Sequence, residues 1–150
     1  MIQLRAATLA DAARLYAWRT DPVTAAQSIS DRPIPFDSHL KWFEKILRQT
    51  RTLVLIAEWR PVADAYDTIG TARLEVHSTF VELSLTVAPH HRGQGYATQI
   101  IHALAQAADD VAHGTPLLAR VKETNTASLC AFWTAGFRFV SSTNGIIVLS

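Results

Sequence analysis

Two periodicities of apolar and polar residues divide the 150-residue chain into helices and strands. Apolar residues recur at intervals of three and four over residues 8–19, 37–47 and 95–112, which predicts three helices. Apolar and polar residues alternate over 68–77 and again over 80–87, which predicts two strands that each have one polar face.

The segments between these elements complete the order of a mixed α/β domain. A continuous apolar run over 52–59 predicts a central strand covered on both faces, and 22–36 predicts a long polar loop. Further elements are strands over 2–6, 116–121, 137–140 and 145–149, a helix over 126–135, and a surface connection over 60–67. This order predicts a single domain over 1–150, with a sheet of six to seven strands and about four helices on both faces.

Composition narrows the class of protein. With 49% hydrophobic and 18% charged residues, the chain suits one ordinary core. A net charge of +1, with the cations spread along the chain, predicts no nucleic-acid partner and no membrane surface. The single cysteine, Cys130, excludes an internal disulfide, and the N-terminal residues lack a signal-peptide pattern, so we expect a cytoplasmic protein.

The junction VAPHHRGQGYAT, which begins at Val87, concentrates candidate chemistry between a strand and a helix. Glycines at 93 and 95 let a ligand approach the backbone, the helix N-terminus offers free N–H groups, and Arg92 adds a cation. These features predict an anion site large enough for a diphosphate. A turn that only connects strand to helix is the alternative.

Two other ligand classes fit the junction less well. The pattern matches neither GxGxxG nor GxxxxGK[ST], which disfavours a nicotinamide or nucleoside triphosphate site. His90 and His91 are adjacent and no third ligand stands at metal-site spacing, which predicts no metal centre.

Two blocks of the sequence resemble the GNAT N-acetyltransferases. The family signature R/Q-x-x-G-x-G/A after V-x-P is filled by the residues from Val87 to Ala97. About thirty residues on, VKETNTASLCAFWTAGF resembles the second family block, with Asn125, Ser128 and a Gly-Phe ending at 136–137. The resemblance implies the GNAT fold, acetyl-CoA as co-substrate and strands that splay apart at the cofactor site.

The resemblance also implies how the cofactor is held. Backbone amides of the junction bind the diphosphate, the strand before it pairs with the pantetheine arm, and the second block holds the far side of that arm. Asn125 is equally well explained as a simple helix cap. The implied cofactor-binding residues are Leu85, Thr86, Val87, Arg92, Gly93, Gln94, Gly95, Tyr96, Ala97, Asn125, Ser128 and Phe132.

Catalysis is expected on the polar face of the strand over 80–87. Glu82 is the candidate general base, Ser84 orders a water beside it, and a backbone N–H near Leu85 or Thr86 polarises the thioester at a β-bulge. A salt bridge from Glu82 to Arg73 or another sheet neighbour is the alternative for that carboxylate.

The general acid is left open by the sequence. Phe132 stands where many relatives carry a tyrosine that protonates the sulfur. Tyr96, Cys130 or bulk water could substitute, although Tyr96 suits packing at the helix start and Cys130 a small buried hydrophobe.

The first two predicted helices resemble those of bacterial nucleotide-sugar N-acetyltransferases. The matching positions predict that the acceptor is a small molecule with an amine, namely an amino group of a nucleotide-linked deoxy-sugar. A cationic side chain and stacked aromatic rings would bind this molecule. Core packing is the alternative for the aromatic residues. Two alternative functions are acetylation of a protein N-terminus or a free small amine, and binding of acyl-CoA without catalysis. A homodimer is also possible. The acceptor-binding candidates are Trp18, Arg19, Ser28, His39 and Trp42.

Overall fold

A computed structural model describes residues 1–30, 32–62 and 64–150. Among these residues a seven-stranded sheet has the order β1-β2-β3-β4-β5-β7-β6, antiparallel except for the parallel pair β4–β5. This confirms the predicted mixed sheet. The strands are β1 (Ile2–Ala6), β2 (Thr52–Val62), β3 (Ala65–Val76), β4 (Val81–Val87), β5 (Leu117–Lys122), β6 (Phe139–Thr143) and β7 (Ile146–Leu149); the helices are α1 (Ala12–Thr20), α2 (Pro22–Gln27), α3 (Phe36–Leu47), α4 (Tyr96–Val111) and α5 (Thr126–Thr134).

Helices cover both faces of the sheet because apolar residues alternate along β2. Ile56 packs with Phe43 in the cluster under α1 and α3, whereas its neighbour Ala57 belongs to the cluster under α4 and α5. The second cluster is the larger and includes Leu83 and Leu104, both essentially inaccessible to solvent. None of the helices in the described ranges has the length and apolarity that crossing a bilayer demands.

The predicted loop over 22–36 is wrong in its first part, because α2 forms there. The side chain of Asp21 accepts a hydrogen bond from the backbone N–H of Thr24 at 3.1 Å, and Pro22 occupies the first helical position. A capping carboxylate followed by proline is a typical helix start, but no apolar period accompanies it here.

The predicted surface connection over 60–67 is also wrong. Strands β2 and β3 continue as a hairpin to the pair Val62 and Ala65. The guanidinium of Arg60 lies 5.0 Å from the ring centre of Tyr66, which gives the exposed hairpin end a cation–π contact. Strand β6 begins at Phe139 rather than at 137, since the side chain of Phe137 is buried against α5.

Candidate active site

Strands β4 and β5 part after two residue pairs and leave a wedge-shaped cleft between them. Their parallel pairing covers only Val81 with Leu117 and Glu82 with Leu118. Beyond this point β4 stays paired with β3 as far as Val87, while β5 pairs with β7. The edge of β4 that faces the cleft is therefore open to hydrogen bonding by an extended ligand, as the resemblance implied.

At the wide end of the cleft the junction forms a cradle of backbone amides. Gly93 and Gly95 have φ values of 74° and 78°, a left-handed conformation that favours glycine. Because α4 begins at Tyr96, the N–H groups of its first turn have no carbonyl partner within the helix. A Cβ atom at either glycine would meet no atom within 4 Å, so open space lies above the loop. This geometry fits an anionic group.

The side chain of Arg92 is already engaged by α2. Its Nη2 atom lies 2.5 Å from a carboxylate oxygen of Asp21 and 2.7 Å from the hydroxyl of Thr24. The hydrogen bond from Arg92 holds the pKa of Asp21 below its usual range, with help from the Thr24 N–H. This pairing was not expected from the sequence, because α2 itself was not expected.

Glu82 lies at the narrow end of the cleft, where the β4–β5 pairing stops. Its side chain is only 12% exposed and accepts a hydrogen bond at 3.0 Å from Nε of Arg120 on β5. The alternative salt bridge to a sheet neighbour thus exists, but the partner is Arg120, not Arg73. Ser84 is exposed on the same polar face of β4, two residues from Glu82.

Two residues of β3 join Glu82 on this face. Glu75 is its direct cross-strand partner, and one ligand atom each from Glu75, His77 and Glu82 lie within 4.8 Å of one another. Arg73 donates to Glu75 at 3.0 Å, so each carboxylate has its own guanidinium. The alternation of β3 placed Glu75 and His77 on a polar face, but only the strand register brings them to Glu82.

The backbone of β4 departs from the expected bulge near Leu85 and Thr86. Pairing with β3 runs in unbroken register from Val81 to Val87. Instead, β3 approaches β4 closely at Gly70, where a Cβ atom would lie 2.2 Å from the carbonyl oxygen of Thr86. Glycine at this position lets the two backbones come together without a bulge.

Helix α5 follows β5, the strand on the other side of the cleft. The side chain of Asn125 accepts a hydrogen bond from the Ser128 N–H at 3.3 Å, so the predicted helix cap is present. Phe132 is 2% exposed and packs edge-to-face on Phe137, with ring centres 5.1 Å apart. Its contact with a cofactor stays a prediction. Cys130 was expected to be buried, but it is exposed because it lies on the outer face of α5.

The candidate acid Tyr96 instead packs between neighbouring rings. Its ring centre lies 6.0 Å from that of Trp59 and 5.9 Å from that of His91. His91 in turn lies 3.3 Å from a carboxylate oxygen of Asp67. The packing role expected for Tyr96 is therefore the one observed at the start of α4.

A cleft of about 230 Å³ lies between α1, α2 and the segment before α3, and Tyr16 and Arg19 are among its lining residues. Arg19 donates to the carbonyl oxygen of Ser30, and Tyr16 donates to that of Ile34 at 2.8 Å. The cleft is lined by Tyr16, Arg19, Thr20, Ala25, Arg32, Pro33 and Ile34. Of the predicted acceptor residues, only Arg19 lines it.

The other four acceptor candidates lie outside this cleft, in the core, on the surface of α3 or at the end of α2. His39 is buried, and its Nδ1 atom has no hydrogen-bond partner among the residues that the structure describes. Burial, followed by the charge of Arg19, lowers the pKa of His39. Trp18 packs against the core under α1, Trp42 is 44% exposed beside the His39 ring, and Ser28 ends α2 by donating to the Thr24 carbonyl. The core alternative therefore describes Trp18 better than Trp42.

Comparison with known proteins agrees with the sequence resemblance and with the fold. The family described as "Acetyltransferase (GNAT) domain" matches residues 2–138. A search of curated proteins found no significant match.

Solved structures with the same fold include three acetyltransferases. Spermidine N-acetyltransferase from Vibrio cholerae, in complex with CoA and spermine, has a TM-score of 0.81 at 16% identity, over 99% of this chain and 92% of that chain. AAC(6')-Ib with ribostamycin and coenzyme A scores 0.80 at 19% identity, over 99% and 90%. A putative acetyltransferase from Salmonella typhimurium with acetyl-CoA scores 0.74 at 23% identity, over 99% and 92%.

Proposed function

Since the chain belongs to the GNAT acetyltransferase domain family and is an N-acetyltransferase with acetyl-CoA as co-substrate, we propose that its acceptor is a small molecule with a primary amine. The specific acceptor we propose is an amino group on a nucleotide-linked deoxy-sugar. The amine would be acetylated at the narrow end of the β4–β5 cleft, and the nucleotide would lie towards α1.

The proposed cofactor site uses the open backbone on both sides of the cleft. Backbone amides from Arg92 to Ala97 would hold the diphosphate, and Leu85 to Val87 would pair with the pantetheine arm as an added strand. Support comes from the β4 edge that β5 leaves unpaired and from the open space above Gly93 and Gly95.

The observation that carries the acceptor chemistry is the group formed by Glu75, His77 and Glu82. A primary ammonium has three N–H donors, and three acceptors at about 2.8 Å in tetrahedral directions lie about 4.6 Å apart. The ligand atoms of this group lie within 4.8 Å of one another. The three side chains are therefore close enough together to bind one primary ammonium.

Glu82 would then act as general base. It takes a proton from the bound ammonium, and the freed nitrogen lone pair attacks the thioester carbonyl carbon. One backbone N–H near Leu85 or Thr86 that faces the cleft stabilises the oxyanion. The nitrogen of the tetrahedral intermediate loses its second proton to water, and the C–S bond breaks as the carbonyl reforms. Solvent protonates the thiolate, since Phe132 offers no proton and is buried.

The cleft beside α1 favours an acceptor with an anionic portion. Arg19 and Arg32 both line it, and a guanidinium binds phosphate oxygens with two parallel hydrogen bonds. The exposed ring of Trp42 could stack on a base or sugar. A nucleotide-linked amino sugar combines an amine with a diphosphate, which matches the two charged regions.

A polycationic amine is the second candidate. The complexes named above contain spermine and an aminoglycoside, and two carboxylates face the amine site here. The two arginines in the α1 cleft oppose this candidate, because a second ammonium would meet positive charge there.

Acceptor choice is tested by measuring thiol release from acetyl-CoA with a panel of amines. The panel contains a nucleotide-linked amino sugar, the same sugar without its nucleotide, spermidine, an aminoglycoside and a peptide N-terminus. We expect the highest kcat/KM with the nucleotide-linked sugar and a raised KM for it in Arg32→Gln, with Arg51→Gln as the charge-matched control. Faster turnover of spermidine or of the peptide would reject the assignment.

The base is tested in the same assay. We expect Glu82→Gln to lower kcat/KM at neutral pH by about 10²- to 10⁴-fold, because proton removal loses its acceptor. Glu44→Gln on α3 is the control for removal of one carboxylate elsewhere. Undiminished activity in Glu82→Gln would remove Glu82 from this role, and absence of thiol release with every amine would favour an inactive cofactor-binding module.

A further inference from the structure

The side chain of Arg120 crosses the narrow end of the β4–β5 cleft. Arg120 stands on β5 two residues beyond Leu118, the last residue of that strand that pairs with β4. The two strands have therefore parted at this level, but the Nε atom of Arg120 still donates to Oε2 of Glu82 at 3.0 Å. This contact joins the two sides of the cleft at the place where the acceptor amine is proposed to lie.

The contact engages only one oxygen of the Glu82 carboxylate. Among the described residues, no hydrogen bond reaches the other oxygen, Oε1. A carboxylate that is held at Oε2 cannot turn freely about its last side-chain bond, so Oε1 keeps one direction. A general base must lie within hydrogen-bond reach of the proton that it removes, and a fixed Oε1 meets this requirement without reordering.

Arg120 also offsets the repulsion between two carboxylates. Glu75 and Glu82 are direct cross-strand partners, and each has a ligand atom within 4.8 Å of the other. When two carboxylates lie this close without a cation, one of them takes up a proton more readily. Arg73 on β3 pairs with Glu75, and Arg120 on β5 pairs with Glu82. The neighbouring His77 adds no charge in its neutral form.

We propose that Arg120 is a positioning residue for acetyl transfer: it fixes the orientation of the Glu82 carboxylate and keeps that carboxylate free to accept the proton of the bound ammonium. This inference rests on the proposed role of Glu82 as general base. The proton passes from the ammonium nitrogen to Oε1 of Glu82, while Arg120 keeps its own protons.

Arg120→Gln tests both parts of this role. With the best amine of the panel above, we expect kcat to fall about 10- to 100-fold, because the base is no longer held in line. KM for the amine should stay equal or fall, since the site becomes more negative. The acidic limb of the kcat profile should move to higher pH by about one unit, because the two carboxylates lose one of their cations.

A second substitution separates charge from geometry. Arg120→Lys keeps the positive charge but lacks the rigid guanidinium plane. We expect its acidic limb to return close to that of the wild-type protein, while kcat recovers only in part. Arg14→Gln is the matched control, because Arg14 is also 46% exposed and also pairs with a carboxylate, that of Asp11 at 3.6 Å. This control should leave kcat and the pH profile unchanged.

A double-mutant cycle shows whether Arg120 acts through Glu82. If it does, adding Arg120→Gln to Glu82→Gln should lower kcat/KM by less than about two-fold further. A full additional loss in the double variant would contradict this route. Because the Arg120 side chain is half exposed, Tm of the single variant should stay within about 2–4 °C of the wild-type value, and thermal unfolding checks this.

Failure of this inference differs from failure of the proposed function. Reduced activity in Glu82→Gln together with wild-type kcat and an unmoved acidic limb in Arg120→Gln overturns the positioning role alone. Full activity in Glu82→Gln rejects the proposed base and, with it, any role of Arg120 that depends on that base. A raised KM with an unmoved acidic limb in Arg120→Gln would assign Arg120 a structural role and would also overturn the inference.

Discussion

Replacing Gly70 by alanine tests how the β3–β4 pairing positions the cofactor strand. The added Cβ atom would lie 2.2 Å from the carbonyl oxygen of Thr86 and 3.2 Å from the Cα atom of Val87, whereas Cβ contacts under 3.0 Å essentially never occur. All of these atoms belong to backbone, so no side-chain rotation relieves the clash. The end of β4 must therefore retreat by about 1 Å.

Two effects of this displacement can be measured. Overpacking of this kind costs about 1–3 kcal/mol, which lowers Tm by about 2–4 °C per kcal/mol in a chain of this size. Since Thr86 and Val87 lie in the segment proposed to pair with pantetheine, misplacement by about 1 Å should also lower kcat/KM by up to about 10²-fold. Thermal unfolding measures the first quantity, and steady-state kinetics measure the second.

The matched control is Gly114→Ala. Gly114 has a φ of 75°, and a Cβ atom there would meet nothing within 4 Å. A left-handed alanine costs about 1–2 kcal/mol, so the control loses stability without moving β4. Equal losses of kcat/KM in both variants would show that instability alone is responsible. Unchanged Tm in Gly70→Ala would refute the close approach of the strands.

Three further substitutions have defined consequences. Asn125→Ala removes the cap of α5 and should lower stability by about 0.5–2 kcal/mol in thermal unfolding, with full retention contradicting the cap. Tyr16→Phe loses the 2.8 Å bond to Ile34, which should cost about 0.5–1.5 kcal/mol and raise the acceptor KM; an unchanged KM would separate this segment from acceptor binding. Hydrogen bonds from Arg5 lower the pKa of Asp11 in the folded protein. The ionised carboxylate therefore stabilises the fold at pH values above its unfolded pKa, near 3.8, and this stabilisation is lost as the pH falls through the lower folded pKa. Asp11→Asn should therefore lower stability at pH 7 and flatten its decline towards acid pH in denaturant titrations; an identical pH profile would contradict the pairing.

Periodicity predicted most elements because their stabilisation comes from faces that repeat along the chain. The long period over 95–112 became α4, and the alternation over 68–87 became β3 and β4. Helix α2 was missed because its six residues carry no apolar stripe and none of them is buried. Its stability comes from a cap and from partners elsewhere in the chain.

The sequence alone predicted an anion site at the junction and a candidate base on one strand. Glycine spacing, the strand-to-helix transition and the alternation around Glu82 are local properties, and local properties can be read from consecutive residues. The family resemblance rested on the same segments, and the matched family confirmed it.

Only the tertiary structure decided what these groups contact. Arg92 meets Asp21 across 71 positions of sequence, and Arg120 meets Glu82 across 38. Strand register alone set Glu75 against Glu82. Such pairings depend on the order and register of strands that are distant in the chain, and a pattern of neighbouring residues carries no information about either.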